Sequence, residues 1–223
     1  MSWEVIYFTV AMAVLAVAIS LPPALAVAWL LARKQWPGKF LLETIVTVPL
    51  VLPPVATGFG LLLLLGRHGW LGSLLEQWFG VELIFTWKAV VAAMAIMALP
   101  LMVRTARVGF ESVDPQLEDA ARSLGAGPWK VFWQITLPLA RRGVLGGVVL
   151  GFARALGEFG ATIVVAGNIP GRTTTIPLAI YTDVLLGDNT AALQLIAVSL
   201  VIAFAAIAIG ERLARPLPGS VRS

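Results

Sequence analysis

Five stretches of nearly uninterrupted apolar sequence, each long enough to cross a bilayer as helix, constrain this chain more than any other feature. They run over 5–32, 41–65, 87–103, 143–165 and 191–209. A hydrocarbon core about 30 Å thick takes roughly 20 helical residues to cross. Backbone polar groups in lipid must bond within their own segment, so each stretch reads as helix. The expected fold is all-α: a polytopic membrane protein with five transmembrane helices. A sixth stretch, 176–186, is too short to cross and reads as a helix lying at the surface or dipping in. Composition agrees, with 59% hydrophobic and 13% charged residues, where soluble domains carry about 25% charged residues. A soluble enzyme, a disordered regulator and a secreted disulfide scaffold fit poorly. The chain has no cysteine, which removes disulfides and thiolate metal sites. Its single histidine, His68, leaves little for a metal site or proton relay and reads as a surface residue.

The first span carries Ala24-Leu25-Ala26, which imitates a signal-peptide cleavage site. A signal peptide opens on a basic segment, whereas no Lys or Arg precedes Arg33 here. The expectation is an uncleaved helix with its N-terminus outside. The remaining basic residues support that direction. Arg33, Lys34 and Lys39 follow the first span. Arg104, Arg107, Arg122, Lys130, Arg141 and Arg142 separate the third from the fourth. Arg212, Arg215 and Arg222 follow the fifth. Only Arg67, Lys88 and Arg172 fall on the other side, with Arg154 inside a span. The positive-inside rule then places the long loop and the C-terminus in the cytoplasm. Trp3, Trp70, Trp78 and Trp87 fall near the outer boundary as interfacial anchors.

The cytoplasmic loop has internal punctuation. Asp114 suits an N-cap and Pro115 the first helical position. Glu118 and Asp119 lie early in the helix, where its dipole favours acid. Leu117, Ala120, Ala121 and Leu124 form one narrow apolar face. Gly125 and Gly127 stop the helix, Pro128 starts a second one bearing Trp129, Phe132 and Trp133, and Pro138 breaks it before the next span. Composition alone allows an amphipathic helix resting on the membrane.

The spacing adds a resemblance. Asp119-Ala120-Ala121, three residues, Gly125, nine residues, then Ile135-x-Leu137-Pro138 is similar to the loop signature of permease subunits of ABC importers, with Asp119 where that pattern has Glu. The resemblance implies the type I importer permease fold, with short cytoplasmic coupling helices. It implies that the short helix docks into a groove on a separate ATPase, so that closure of an ATPase dimer tilts the spans. Asp119, Ala120, Ala121, Gly125, Ile135, Leu137 and Pro138 would form that coupling loop.

Two further stretches narrow the class. Pro49 with 50–60, Leu-Val-Leu-Pro-Pro-Val-Ala-Thr-Gly-Phe-Gly, is one. The other is 155–163, Ala-Leu-Gly-Glu-Phe-Gly-Ala-Thr-Ile, followed by Asn168-Ile-Pro-Gly and Thr175-Ile-Pro. Both resemble permeases of molybdate ABC importers over roughly 6–213, and sulfate and tungstate permeases share a related Gly-Glu-Phe/Tyr-Gly pattern. The resemblance implies a transmembrane domain over 6–213 with a flexible tail at 214–223. It also implies a bacterial or archaeal cell membrane, a second copy of the chain around the path, and an extracytoplasmic binding protein that supplies affinity.

The residues themselves leave alternatives open. Pro49, Pro53 and Pro54 free backbone carbonyls in the second span, which suits a path lining or a plain packing kink. Thr57 with Gly58 and Gly60 lines a path or lets helices approach. Arg154 and Glu158 lie one turn apart, and a lone intramembrane charge costs several kcal/mol, so a pair is expected. That pair reads as a gate element or as a neutralised clamp fixing helix orientation. Gly143, Gly147, Gly151 and Ala155 recur every four residues as a close-packing face, between two copies or inside one. In the outer loops, Arg67 and Arg172 are polar contacts for the binding protein or merely solvated. Pro53, Pro54, Thr57, Arg154 and Glu158 are thus the path or gate candidates.

The chain has no Gly-x-x-x-x-Gly-Lys-Ser/Thr phosphate loop, so no cofactor is expected in it, and ATP with Mg is assigned to the partner ATPase. The expected role is a non-enzymatic oxyanion permease subunit, molybdate first, with a tungstate or sulfate permease as alternative. A stand-alone secondary transporter would call for inverted repeats, and none is evident. Neither this nor a membrane scaffold accounts for the loop signature, and nucleic acid is not an expected partner.

Overall fold

One helix, α5 (Trp87–Glu111), forms the axis on which the others pack. The computed structural model describes residues 3–214. The tail expected at 214–223 therefore lies, from 215 onward, outside the described residues. Small side chains let the neighbours approach α5 closely. On α1 (Trp3–Arg33), Ala13, Ala16, Ala24 and Ala28 are buried against α5's Ala89, Ala93 and Ala98. On α9 (Arg141–Leu156), Gly143 lies so near Gly109 of α5 that a Cβ on Gly109 would sit 2.8 Å from the Gly143 Cα. Gly147 and Gly151 rest on Met102 of the same helix. The four-residue glycine repeat is therefore an internal contact.

The second and fourth spans are broken; the prolines of the second announce its interruption, whereas the break of the fourth corrects the single helix expected over 143–165. The second divides into α2 (Lys39–Val51) and α3 (Pro54–Leu65), meeting at 114°. Leu52 and Pro53 are extended at the junction, and Pro54 occupies the first position of α3. Consecutive prolines force this, because the residue before a proline is driven out of the helical region and the proline has no N–H to donate. The fourth span ends α9 at Leu156 and resumes as α10 (Gly160–Val165). Before α9 the chain passes through α7 (Pro128–Val131), a π-helical turn (Phe132–Thr136) and α8 (Leu137–Leu139), then bends by 71° into α9. The bend follows Pro138 by two residues, at Ala140. The π turn hands Leu137's N–H to the Phe132 carbonyl, five residues back.

Among the described residues three helices are long and apolar enough to cross a membrane alone, and up to five segments are when α2 with α3, and 128–139 with α9, each count as one. The third is α12 (Asn189–Ala214). The expected short stretch is α11 (Ile176–Leu185), packed against α12 and α1. The 66–86 segment, read from sequence as a loop, contains a further helix, α4 (Trp70–Phe79), closed by left-handed Gly80.

The two ends of the bundle differ. At the loop end, Arg33 closing α1 donates to the Val113 carbonyl at 3.1 Å, and Arg107 near the end of α5 pairs with Glu43 of α2 at 2.8 Å. At the far end α1, α5 and α12 begin, and Phe85's N–H donates to the Val165 carbonyl at 3.1 Å.

Candidate functional site

The loop end carries the first group of candidate residues. Asp114 caps α6 (Pro115–Ser123), its side chain accepting from the Gln116 N–H at 2.9 Å, with Pro115 at the first position. The helix closes through Gly125, whose φ of +84° favours glycine. Gly125's N–H donates to the Arg122 carbonyl at 2.9 Å and Ala126's to the Ala121 carbonyl at 3.0 Å. These paired bonds satisfy carbonyls that the helix end would otherwise orphan.

The faces of α6 run opposite to those of an ordinary surface helix. Its buried residue is charged: Glu118 is 4% exposed. The apolar face looks outward instead, with Leu117 half exposed, Ala120 exposed and Leu124 90% exposed. Glu118 is held at three points. Arg33 donates at 2.8 Å, the Thr136 hydroxyl at 2.7 Å, and Arg122 closes a longer contact at 3.5 Å. Glu118 therefore ties α6 both to the end of α1 and to the π turn. Asp119, the carboxylate singled out by motif, is exposed, and among the described residues its side chain bonds only Arg122, at 2.7 Å. Ala121 is half-buried, as are Ile135 and Leu137, and Pro138 is exposed. Phe132 anchors the second piece, edge-on to Trp29 and tilted against buried Phe110, while Trp129 and Trp133 stay largely exposed.

The path candidates come together where the two broken spans cross. A Cβ on Gly160 would stand 2.7 Å from Pro54's Cβ, and one on Gly58 would stand 2.7 Å from the Ala161 Cα. The break of the second span is thus seated directly on the break of the fourth. Arg154 and Glu158 pair at 2.7 Å, as expected, but Glu158 lies in the break and not inside a continuous helix. Its second oxygen accepts from the Ala161 N–H at 2.7 Å, capping α10. Glu158 is 1% exposed, so the pair clamps the end of α9 to the start of α10. Pro53 and Pro54 are exposed in this chain. The hydroxyls of Thr57 and Thr162 are buried without a hydrogen-bond partner among the described residues.

At the far end, Arg67 is engaged by Glu82 and, at 4.0 Å, by Glu76, and the Glu82 carboxylate raises its pKa above the ordinary arginine value. Arg172 is exposed. His68 is exposed too, as are Trp3, Trp70, Trp78 and Trp87. The 168–175 segment is bonded within itself and to α11: Thr174 donates to Asn168 at 2.7 Å and Asn168 to Thr182 at 2.9 Å.

The binding-protein-dependent transport system inner membrane component family matches residues 24–217. The chain belongs to that family. It is 48% identical over 214 residues to the molybdenum transport system permease protein ModB of Escherichia coli K12, spanning 96% of this chain and 93% of that one. The Haemophilus influenzae ModB is 52% identical over 181 residues, 81% of this chain and 79% of its own. The sulfate permease CysW of Synechococcus elongatus is 43% identical over 175 residues, 78% of this chain and 61% of its own. Among solved structures, the MetNI methionine ABC transporter superposes with a TM-score of 0.74 at 17% identity, covering 96% of this chain and 98% of that chain. A bacterial alginate ABC importer gives 0.74 at 18% identity, covering 96% and 82%. The fold is that of a type I ABC importer permease, and the chain is a multi-pass membrane transport component.

Sequence reasoning placed the loop and the proline break of the second span, but missed the break of the fourth and missed Glu118, Arg33 and Thr136 as a unit. Glu118 and Asp119 are adjacent acids, and only the packing tells which is buried. The seating of Gly58 and Gly160 was missed as well, since they lie about a hundred residues apart in sequence.

Proposed function

We propose that this chain is the membrane-spanning subunit of an ATP-driven importer whose cargo is molybdate. The observation that carries the coupling role is the reversed amphipathy of α6. A helix fastened beneath by Glu118 and presenting Leu117, Ala120 and Leu124 outward is built to be gripped from outside. The grip comes from a cytoplasmic ATPase dimer, which binds ATP and Mg; this chain contributes no nucleotide site. Force on α6 passes through Glu118 to Arg33 and α1, and through Thr136 to the turn that feeds α9. Asp119, Ala120, Ala121 and Gly125 form the gripped surface, and Ile135, Leu137 and Pro138 the hinge behind it.

The crossing of the two breaks serves as the gate. α9 carries motion to Arg154 and Glu158, and α10 is seated on Pro54 and Gly58, so tilting α9 shifts α3. Pro53 and Pro54, exposed in one protomer, face the path between it and a second copy. Thr57's buried, unpartnered hydroxyl becomes a neutral donor there when α3 shifts. Weak neutral donors suit an oxyanion that must be released, and Arg154 offers a transient cation. Domain limits of 6–213 follow, with the loop end cytoplasmic, the N-terminus outside, and an oxyanion-binding protein landing at the far end. Cargo follows the permeases at 48% and 52% identity.

Radiolabelled molybdate uptake in cells lacking the chain, restored by its gene, tests this reading. Uptake should return and fall with unlabelled molybdate or tungstate, and persist in excess sulfate. Loss of the restored uptake to excess sulfate as well supports the sulfate reading, which the 43% identity to CysW favours. Failure to restore molybdate uptake contradicts the proposed cargo.

A further inference from the structure

Three basic side chains stand at the far end, and two of them lack an acidic partner among the described residues. Arg67 is neutralised by Glu82 and Glu76. Lys88 and Arg172 form no ion pair among the described residues, yet both line one cavity of about 620 Å³. They come from distant parts of the chain: Lys88 from the first turn of α5, Arg172 from the segment leading into α11. That segment is held over α1 by the Ile176 N–H, which donates to the Thr9 hydroxyl at 2.9 Å. The cavity's other wall is apolar, formed by Phe8, Met12 and Leu15 on one face of α1. Thr86, the cap of α5, and Trp87 border it.

Two like charges lining one cavity repel each other, and an anion between them removes that cost. An inorganic oxyanion would meet the cations but leave Phe8, Met12 and Leu15 against water. A ligand that satisfies both walls carries an anionic phosphate and a hydrocarbon chain together. The level is also right: Trp87 and Lys88 open a membrane-spanning helix, with the Lys88 amine 6.0 Å from the Trp87 ring centre, where aromatic and basic side chains meet headgroups.

We propose that this cavity is a binding site for an anionic phospholipid, its phosphate between Lys88 and Arg172 and one acyl chain along Phe8, Met12 and Leu15. The site rests on the membrane placement of the chain and is independent of the coupling and cargo assigned above.

Native mass spectrometry tests it on the full-length chain, with whatever subunits copurify, after equal exposure to phosphatidylglycerol and phosphatidylcholine. The wild type should retain phosphatidylglycerol roughly tenfold or more over phosphatidylcholine, as two surface cations allow. Lys88→Gln with Arg172→Gln should bring the ratio near unity. Met12→Trp, which keeps both cations and fills the apolar wall, should also lose the retained lipid. Variants are compared only where elution on size exclusion matches the wild type; the glutamine pair changes only solvent-facing ends and keeps the test usable if Met12→Trp does not fold. An unchanged ratio in the glutamine pair overturns the site. Displacement of the lipid by millimolar inorganic phosphate overturns it too, because the cavity then holds a free anion. An unchanged ratio accompanied by lost response to a binding protein assigns the two cations to that partner instead, and overturns it equally.

Discussion

The residue that bears most of the load at the loop end is Glu118. Its carboxylate is buried among Arg33, Thr136 and Arg122, and Arg33's Nε already lacks a partner among the described residues. Truncating one member of a buried ion pair leaves an uncompensated charge, at a cost of about 3–5 kcal/mol. Glu118→Ala should therefore lower the melting temperature of the purified subunit and raise ATP hydrolysis per ion imported, whereas Asp119→Asn should change stability little, since Asp119's one bond is exposed. Thermal unfolding and an uptake-to-hydrolysis ratio check both arms. The same logic separates the two tasks of Glu158. Glu158→Gln keeps an acceptor for the Ala161 N–H and loses only the Arg154 charge pair, so it should be milder than Glu158→Ala, which loses both. Sequence spacing showed that Arg154 and Glu158 would meet, because an i, i+4 pair is a local fact. It could not show that Glu118, and not its neighbour Asp119, turns inward, because that depends on α1 ending beside α6.

At the scale of elements, the breaks matter more than the helices. Pro53-Pro54 was legible as an interruption, since proline's missing N–H acts on its own helix. The 114° turn was not, because the angle is set by the seat that α10 offers α3. The seat is made of glycines against backbone and the Pro54 ring, which no rotamer change relieves. Gly58→Val and Gly160→Val should each push α3 from α10, costing about 1–3 kcal/mol as overpacking does. Gly60→Ala, with nothing within 4 Å of the added carbon, should be neutral or slightly stabilising. Thermal unfolding of the three variants side by side measures this, and equal losses at all three positions would contradict the crossing. The glycine repeat of α9 gives the parallel lesson. Its period was visible, but whether it faced a second copy or α5 was decided only by Gly109 lying opposite Gly143.

At the scale of the whole molecule, the apolar runs prescribed most of the architecture, because lipid tolerates few solutions. What they could not prescribe is the inside-out helix at the loop end and the amphiphilic cavity at the far end, both assembled from remote segments. The central claim is that α6 is gripped by a separate motor. The cysteine-free chain makes it directly testable through Leu124→Cys, at a position 90% exposed beside the Gly125 turn. In intact membranes a short crosslinker at that thiol should join the chain to an ATP-binding subunit, with a yield that changes when ATP is trapped on that subunit. A chain that still accumulates molybdate while its Leu124→Cys thiol crosslinks to no ATP-binding subunit would contradict the account.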